Sequence, residues 1–374
     1  MRVHIIFDFF LVKDGSRKSI GGVETYITNL SRVILNMGHA VSVYQVADHA
    51  FEKEVDGVQV YGVPIKKERT KGKLLLARCK EHFDYDRDLL IFGSDNVTLP
   101  APGMRSITIQ HGIFWDIPRR TCTNNLVYFA KFLIQCKEAW EHIKQVDNSA
   151  LLVCVDHNFV NWYRAVTPFP KIKMKVIPNF TEIAEPITKP TQADPAEPVR
   201  IIFARRFWHY RGTRIFAEAA KQLLEKYPNI EITLAGDGPD EQMLKENLAG
   251  YKNVRFITYQ SHESLEIHAD KDIAVVPTMA SEGTSLSLLE AMSAQCAVVC
   301  TNVGGMTGIV IDGYNGRMIS PDAEELFAAL SQLVEDAQLR KQLADKAYET
   351  VKQGFSLARW QTAWEDVIRS MEAR

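Results

Sequence analysis

The sequence predicts an α/β protein with two doubly wound parallel sheets, and three observations support this. Strand-like apolar runs alternate with amphipathic helical segments along the chain, and the pattern is interrupted once, at the proline-rich segment Thr181–Pro198. The composition, 46% hydrophobic and 24% charged, is typical of a globular protein. Because strands that alternate with helices form parallel sheets, we expect one sheet on each side of the proline-rich segment.

The first half supplies the elements of the first sheet. We predict a strand over residues 2–9, a helix from about Gly22 to Met37 whose apolar residues recur every three or four positions, and a strand over 40–46. Further strand-like runs are Leu89–Phe92, Arg105–Ile109 and Leu151–Val155. Asp8 interrupts the first run and no small-residue cleavage site follows, so a buried strand is favoured over a signal peptide.

The second half repeats the pattern after the linker. Predicted strands are 199–204, 230–235, 253–257, 272–277 and 296–300, and predicted helices are 213–226, 241–249, 262–269 and 285–293. The domains are therefore 1–180 and 199–354, joined by 181–198. The tail, 355–374, is predicted to be a helix with a Ser N-cap that packs back on the first domain.

Charge and cysteine content exclude several classes of protein. A net charge of −2 gives no basis for nucleic-acid binding. The six cysteines are scattered without a CxxC pair, which favours a reducing compartment over disulfides or a zinc site. No run approaches 18 uninterrupted apolar residues, so we expect no transmembrane helix and a cytoplasmic protein.

The segment Ser281–Met292, between two strand-like runs, is the most informative motif. It places Glu282 on a loop and Glu290 about two turns into a helix. Between them, Gly283–Ser285 present backbone N–H groups at a helix N-terminus, which favours a bound phosphate. Two carboxylates that accept sugar hydroxyls beside a phosphate cradle indicate a nucleotide-sugar site.

Two further loops follow strands of the second domain. Arg206 and Arg211 come after strand 199–204, where guanidinium groups can bind a diphosphate and make a divalent metal unnecessary; a solvated basic loop is equally compatible. Gly236 lies in Leu234–Pro239, a turn that lacks the third glycine of a dinucleotide fingerprint. A tight turn is favoured there, and a nicotinamide dehydrogenase is disfavoured.

In the first domain, Gly21 and Gly22 lie between the first strand and the first helix, where backbone amides can approach a phosphate or a sugar as readily as they can form a turn. His111 follows the run Arg105–Ile109 and can donate to a sugar hydroxyl or stabilise positive charge. A structural histidine is favoured when this residue is considered alone.

Two basic stretches, Lys66–Lys73 and Arg119-Arg120, lie in the first domain, and the second precedes the apolar segment Leu126–Ile134. Together they can contact an anionic membrane surface or a phosphate-linked acceptor. A solvated face and a core helix are the favoured interpretation.

With these motifs assembled, the chain resembles the retaining glycosyltransferases of family 4, which have the GT-B fold of two facing Rossmann-like domains with a deep interdomain cleft. The resemblance rests on motifs in the family's order: GGVE at 21–24, IQHG at 109–112, VIPN at 176–179, the arginine-rich loop, LAGDGP at 234–239, EGTSLSLLEAM at 282–292, VGG at 303–305 and DGYNG at 312–316. Arg211 stands where lysine is usual, and Thr284 replaces a frequent phenylalanine.

The resemblance implies roles for individual residues. Arg206 and Arg211 would hold the donor diphosphate, Glu290 the ribose, and Glu282 would lie beside the transferred sugar. The implied catalytic set is His111, Glu282, Arg206 and Arg211. The implied donor-binding set is Gly21, Gly22, Arg206, Arg211, Gly236, Gly283, Thr284, Ser285 and Glu290, with no metal and no cofactor.

The expected function is retaining transfer of a hexose from a UDP- or GDP-linked donor to a hydroxyl. The acceptor would be a saccharide or lipid-linked saccharide of bacterial surface polysaccharide synthesis (lipopolysaccharide or capsule), at the inner face of the cytoplasmic membrane. Two alternatives stay open: a sugar-nucleotide epimerase of the same architecture and a non-catalytic sugar-nucleotide-binding protein.

Overall fold

The computed structural model describes residues 1–19, 21–113, 116, 125–167, 172–186 and 197–372. It divides the chain into two compact units. The first unit comprises Met1–His111, Cys122–Pro178 and Trp360–Arg374, and the second comprises Gly112–Thr121 and Asn179–Arg359. Arg119-Arg120 and most of the predicted linker, 187–196, lie outside the described residues.

The first unit contains, in the part of the chain that is described, an eight-stranded sheet with the order β3-β4-β2-β1-β5-β6-β7-β8. All pairs are parallel except β3–β4. The strands are β1 Arg2–Ile6, β2 Ala40–Ala47, β3 Phe51–Val55, β4 Val58–Pro64, β5 Leu89–Phe92, β6 Ser106–Gln110, β7 Leu151–Cys154 and β8 Lys173–Val176. The helices are α1 Gly22–Asn36, α2 Lys71–Lys80, α3 Asn125–Val146 and α4 His157–Val166.

The second unit has a six-stranded sheet among its described residues, with the order β11-β10-β9-β12-β13-β14 and parallel pairing throughout. Its strands are β9 Val199–Ala204, β10 Ile230–Ala235, β11 Val254–Ile257, β12 Ile273–Val276, β13 Ala297–Thr301 and β14 Arg317–Ile319. Its helices are α5 Thr213–Lys226, α6 Glu241–Leu248, α7 Ser264–Ala269, α8 Leu286–Ser293, α9 Ala323–Glu335 and α10 Ala337–Gly354.

Strand β9 shows why this sheet is covered on both faces. Ile201 and Phe203 belong to one hydrophobic cluster with α5 and α9, whereas Ile202 and Ala204 belong to another with α8. Successive side chains of a strand point to opposite faces, so a strand that is apolar at every position needs helices on both sides. The doubly wound parallel sheets predicted from the sequence are confirmed.

Helix α11, Leu357–Glu372, is the predicted tail helix. The Ser356 hydroxyl accepts from the backbone N–H of Arg359 at 3.4 Å, at the expected N-cap. Trp364 is fully buried, and its Nε1–H donates to the Tyr26 hydroxyl at 2.8 Å. Residues from Trp360 onward are part of the first unit.

Helix α3 corrects one sequence interpretation. The apolar segment Leu126–Ile134 was expected to form a core helix, but in the structure Leu126 is 81% exposed and Tyr128 66%. The core-helix interpretation is therefore wrong: the segment is helical, but its apolar side chains face outward. Within the described residues, no helix combines the length and the hydrophobicity needed to cross a bilayer.

Candidate active site

The strand ends of the second unit place its polar side chains together. Arg205 follows β9 and is still bonded to β10, because its backbone N–H donates to the Ala235 carbonyl at 3.0 Å. Glu282 lies on the loop between β12 and α8. Since β9 and β12 are neighbouring parallel strands, both loops lie at the carboxyl edge of one sheet, where α/β proteins bind ligands.

Glu282 is the centre of this cluster. Its Oε2 atom accepts from the Arg205 guanidinium at 2.6 Å, from the Arg211 guanidinium and from the Thr278 hydroxyl at 3.1 Å. Glu282 and Arg205 are each only 8% exposed. One buried carboxylate thus holds two guanidinium groups in fixed orientations.

Electrostatics keep this carboxylate ionised. Burial alone raises the pKa of Glu282, but the attraction of Arg205 and Arg211 outweighs burial and holds that pKa below its usual value. Two guanidinium groups against one carboxylate leave a surplus positive charge at the sheet edge. The cluster can therefore bind an anion, and its guanidinium forks suit phosphate oxygens.

Arg205 connects the cluster to the N-terminus of α8. Its Nη1 atom donates to the hydroxyls of Ser285 at 3.3 Å and Ser287 at 3.0 Å. Ser285 precedes the first residue of α8 and is 1% exposed. The backbone N–H groups that begin a helix carry partial positive charge, so they add to the field of the guanidinium groups.

The two arginines that contact Glu282 are not the pair chosen from the sequence. The sequence analysis chose Arg206 with Arg211, whereas the structure brings Arg205 and Arg211 together on Glu282, and the Arg206 side chain is exposed. Consecutive side chains beside a strand leave on opposite sides, so only one of two adjacent arginines can turn toward the loop after β12. Sequence reasoning missed Arg205 because the two neighbours are chemically identical.

Glu290, on α8, accepts a hydrogen bond from the neighbouring helix α7. The Ser264 hydroxyl, on α7, donates to its Oε2 atom at 2.6 Å. Burial raises the pKa of Glu290 above its usual value, although the Ser264 bond and the charge of Arg205 oppose the shift. This hydrogen bond uses one of the two carboxylate oxygens of Glu290.

Two glycines of the second unit are fixed by close backbone approach. A Cβ atom at Gly236 would lie 2.1 Å from the Arg205 carbonyl oxygen, and Gly236 has a φ of +145°. A Cβ atom at Gly304 would lie 2.1 Å from the Glu282 carbonyl oxygen. These glycines therefore let neighbouring loops pack directly against the backbone that carries Arg205 and Glu282.

The segment Gly283–Ser285, predicted to surround the donor, and the loop just before it are held by two residues that sequence reasoning did not single out for this role. Asp116 accepts from the backbone N–H of Ser281 at 2.9 Å, and Ser281 adopts a left-handed φ of +56°. The Asn179 amide donates to the Thr284 carbonyl at 2.7 Å. Asn179 ends the VIPN motif, which was its only signal, and nothing in the local pattern marked Asp116.

In the first unit, His111 follows β6 as predicted. Its Nε2 atom lies 2.8 Å from the Gly93 carbonyl oxygen, and its ring meets the edge of Tyr26 at 5.0 Å between centroids. A carbonyl can only accept, so Nε2 carries the proton and Nδ1 is left as an acceptor. Burial lowers the pKa of His111 to about 4, against the opposing effect of the Gly93 bond, so the ring is neutral at pH 7.

Gly21 and Gly22 lie at the start of α1, as predicted. Gly21 is the N-cap residue, and its carbonyl accepts from the Thr25 backbone N–H at 2.9 Å. A glycine N-cap has no side chain to accept hydrogen bonds from the first amides of the helix, so those amides can donate to a ligand.

Among the described residues, no group of three His, Cys, Asp or Glu side chains is arranged to hold a metal ion.

The basic segment Lys66–Lys73 is partly neutralised. The Lys71 ammonium lies 2.9 Å from the Asp8 carboxylate and 2.5 Å from that of Glu68, whereas Lys66 and Lys67 are exposed.

Two family models match the chain in adjoining regions. The model described as Glycosyltransferase Family 4 matches residues 20–185, and the model described as Glycosyl transferases group 1 matches residues 185–350. The chain belongs to glycosyltransferase family 4. The resemblance inferred from the motifs is thereby confirmed, and so is the GT-B class of two parallel-sheet α/β domains.

Known proteins similar to this glycosyltransferase include one curated enzyme and two solved structures. The phosphatidyl-myo-inositol mannosyltransferase of Mycolicibacterium smegmatis is 29% identical over 182 residues, which cover 47% of this chain and 46% of that protein. The chain thus spans about half the length of this relative. Sucrose-phosphate synthase from Thermosynechococcus elongatus has a TM-score of 0.78 at 16% identity and covers 100% of this chain and 99% of its own. Anabaena HepE, solved in complex with UDP-glucose, has a TM-score of 0.71 at 15% identity and covers 99% of this chain and 100% of its own.

Proposed function

We propose that this glycosyltransferase moves a hexose from a nucleoside-diphosphate sugar to a hydroxyl acceptor, with retention of anomeric configuration and without a metal ion. The observation that carries the proposal is the convergence of Arg205 and Arg211 on Glu282 beside the N-terminus of α8. That arrangement supplies what a departing diphosphate needs, which is fixed positive charge that does not have to reorganise during the reaction.

The guanidinium groups of Arg205 and Arg211 bind the donor diphosphate. Arg205 donates to Glu282, Ser285 and Ser287, and Arg211 donates to Glu282 and to the Ser281 carbonyl. The other N–H groups of the two guanidinium forks would donate to phosphate oxygens. Glu282 orients both arginines and lies beside the transferred sugar, while the amides of Gly283–Ser285 contact the phosphates. Because these groups supply the positive charge, the proposal requires no divalent metal.

Glu290 accepts the ribose hydroxyls of the nucleotide. Its carboxylate already accepts from Ser264, and a vicinal diol would satisfy its remaining lone pairs. Burial raises the pKa of Glu290, and hydrogen bonds from ribose would favour the ionised form and lower that pKa on binding.

The chemical step is same-face substitution at the anomeric carbon. The bond from this carbon to the phosphate oxygen breaks, the bond to the acceptor oxygen forms on the same face, and the acceptor proton passes to the departing phosphate. Glu282 is held by Arg205 and Arg211, which makes it a poor covalent nucleophile. His111, neutral at pH 7, lies in the first unit with Nδ1 available to accept from a sugar hydroxyl.

The acceptor side is assigned to the first unit, with Gly21 and Gly22 at the start of α1 as contacts. We propose a saccharide or lipid-linked saccharide acceptor, in bacterial surface polysaccharide synthesis at the inner face of the cytoplasmic membrane. The relative from Mycolicibacterium smegmatis carries phosphatidyl-myo-inositol in its name, which supports a lipid-linked acceptor.

A thermal-shift panel with UDP, GDP, ADP and NAD, each with and without EDTA, tests the donor site. One nucleoside diphosphate should raise the melting temperature, since a ligand that binds only the folded state stabilises it, and EDTA should not alter the shift. The matching sugar nucleotide is then incubated with and without hydroxyl acceptors while free diphosphate is measured.

The outcomes separate the competing functions. Diphosphate release that depends on an acceptor supports transfer, and conversion of the donor with no acceptor indicates an epimerase instead. A shift produced by NAD alone, or one that EDTA removes, would overturn the proposed donor site.

A further inference from the structure

The first half of α3 exposes apolar side chains on every side of the helix. Four successive residues, Leu126–Phe129, are 81, 43, 66 and 58% exposed. Successive residues of a helix are about 100° apart, so these four side chains already point around a full turn. Phe132, Leu133 and Ile134 follow, each at least 50% exposed.

This pattern differs from that of an ordinary surface helix. A helix packed on a globular core carries its apolar residues in one stripe and leaves polar residues outside. In Leu126–Ile134, hereafter the apolar end of α3, the one charged residue is Lys131. An exposed apolar surface of this kind marks an interaction site.

The other half of α3 is anchored in the first unit. Ile143 and Val146 are buried, and His142 Nδ1 lies 3.8 Å from Asp95 Oδ2. The apolar end, nine residues long, measures about 13 Å at 1.5 Å per residue. That length reaches the acyl region of one leaflet but is far short of the roughly 30 Å of a bilayer core.

We propose that the apolar end of α3 inserts into the boundary between headgroups and acyl chains of an anionic phospholipid leaflet. A folded protein partner covers one side of a helix, whereas fluid lipid surrounds an inserted helix end on all sides, which matches side chains that are exposed around the helix. The inference deepens the proposed function, on which it rests for the membrane location, by naming the element that binds lipid; vesicle binding is measured apart from transfer.

The charges and aromatic residues of α3 fit an anionic phospholipid leaflet. From Leu126 to Lys137 the charged residues are Lys131 and Lys137, and none is acidic, which complements anionic headgroups. The acidic residues Glu138 and Glu141 follow, in the half of α3 that is anchored in the first unit. Trp140 is 50% exposed about one turn beyond the apolar end, with the Lys144 ammonium 5.8 Å from its ring centroid. Tryptophan and lysine at this position match the level of the headgroups.

Vesicle flotation of the full chain tests the proposal. The wild-type protein is mixed with phosphatidylcholine vesicles, with and without phosphatidylglycerol, and the bound fraction is measured. The double variant F129S/L133S should lower the partition coefficient at least about tenfold, because two large apolar side chains no longer leave water. The variant K131E/K137E should reduce the increment due to phosphatidylglycerol and change binding to phosphatidylcholine much less.

A matched control is Ile311→Ser, since Ile311 is 65% exposed but lies in the second unit. Binding of I311S should equal that of the wild type. Wild-type protein that does not float, or F129S/L133S that floats like the wild type, would overturn the proposal. A wild-type dimer in light scattering that F129S/L133S converts to monomer, without vesicle binding, would assign the surface to a second copy instead. The donor-induced thermal shift is measured on the same samples, so failure of the donor site is seen separately.

Discussion

At the scale of single residues, the candidate site depends on one oxygen atom shared by two cations. Glu282 Oε2 accepts from both Arg205 and Arg211, so the same carboxylate oxygen orients both guanidinium groups. Loss of either guanidinium leaves the carboxylate with one cation and changes the orientation of the remaining one. Substitutions of these residues are therefore expected to be non-additive.

We predict that Arg205→Ala lowers kcat/KM for the sugar nucleotide by about 10²–10³-fold, the range seen when one fixed electrostatic donor is lost. Arg206→Ala, its adjacent matched control, should change kcat/KM less than about tenfold, because the Arg206 side chain is exposed. Arg205→Lys should be intermediate, since lysine keeps the charge and loses the fork. Initial rates and nucleotide affinity are measured for all three variants, and a larger effect from Arg206→Ala than from Arg205→Ala would restore the predicted pair.

The sequence predicted the chemistry of the site better than its contacts. Glu282, Glu290 and Arg211 were chosen from residue type and position after strands, and the structure places them on neighbouring loops and helices. Arg205 was missed because the direction of its side chain depends on where the pairing of β9 with β10 ends. The sequence does not show that point. Asp116 was missed because its contact with Ser281 joins residues 165 positions apart, which no local pattern encodes.

At the scale of elements, some strands and helices of the second unit were predicted with accurate bounds, whereas other elements were missed. The bounds of β9, α5 and β10 match the predicted ranges, because those segments combine a clear period with end signals. The β3–β4 hairpin was not predicted, since Phe51–Val55 carries three charged residues and is mostly exposed. Helix α3 was assigned to the core because hydrophobicity alone does not show whether a partner covers it.

A buried titratable group, Asp95, lies against α3 and has a testable effect. Asp95 is 3% exposed, and burial raises the pKa of Asp95 to about 7 from 3.8. Between these values the folded state binds a proton that the unfolded state has lost, so the free energy of unfolding falls as pH rises through this range. Asp95→Asn should remove this fall, as measured by urea unfolding between pH 5 and about 7.5.

His142 faces Asp95 and titrates in the opposite sense, which provides the control. Burial lowers the pKa of His142, so its contribution to stability is lost as pH falls rather than as it rises. Asp95→Asn should therefore leave any acid-side loss in place. An equal decline of wild type and Asp95→Asn toward pH 7.5 would show that Asp95 is ionised in the folded state.

At the scale of the whole molecule, the first unit is built from segments at both ends of the described chain. Trp364 of α11 is fully buried and bonds to Tyr26 of α1, whose ring also meets His111. Arg105 donates to the Met371 carbonyl at 3.0 Å, a second tie between α11 and the unit. The sequence indicated this return only by the distance of the tail helix from the last strand of the second sheet.

We predict that Trp364→Ala lowers the free energy of unfolding by about 3–5 kcal/mol, because it leaves a cavity in the first unit and removes a hydrogen bond to the buried Tyr26 hydroxyl. Urea unfolding followed by circular dichroism measures the change. Trp208→Ala is the control, since Trp208 is 42% exposed, and it should stay within about 0.5 kcal/mol of the wild type. Equal stabilities of the two variants would mean that α11 does not stabilise the first unit.

The position of α11 also bears on synthesis. A chain emerges from the ribosome N-terminus first, and domains generally fold as units in that order. Here the unit whose strands are made first needs residues that are made after all of the second unit. The second unit can therefore fold while translation continues, whereas the first must wait with Tyr26 and its neighbours uncovered. The nascent first unit therefore exposes apolar surface for longer than the second, and exposed apolar surface is what chaperones bind.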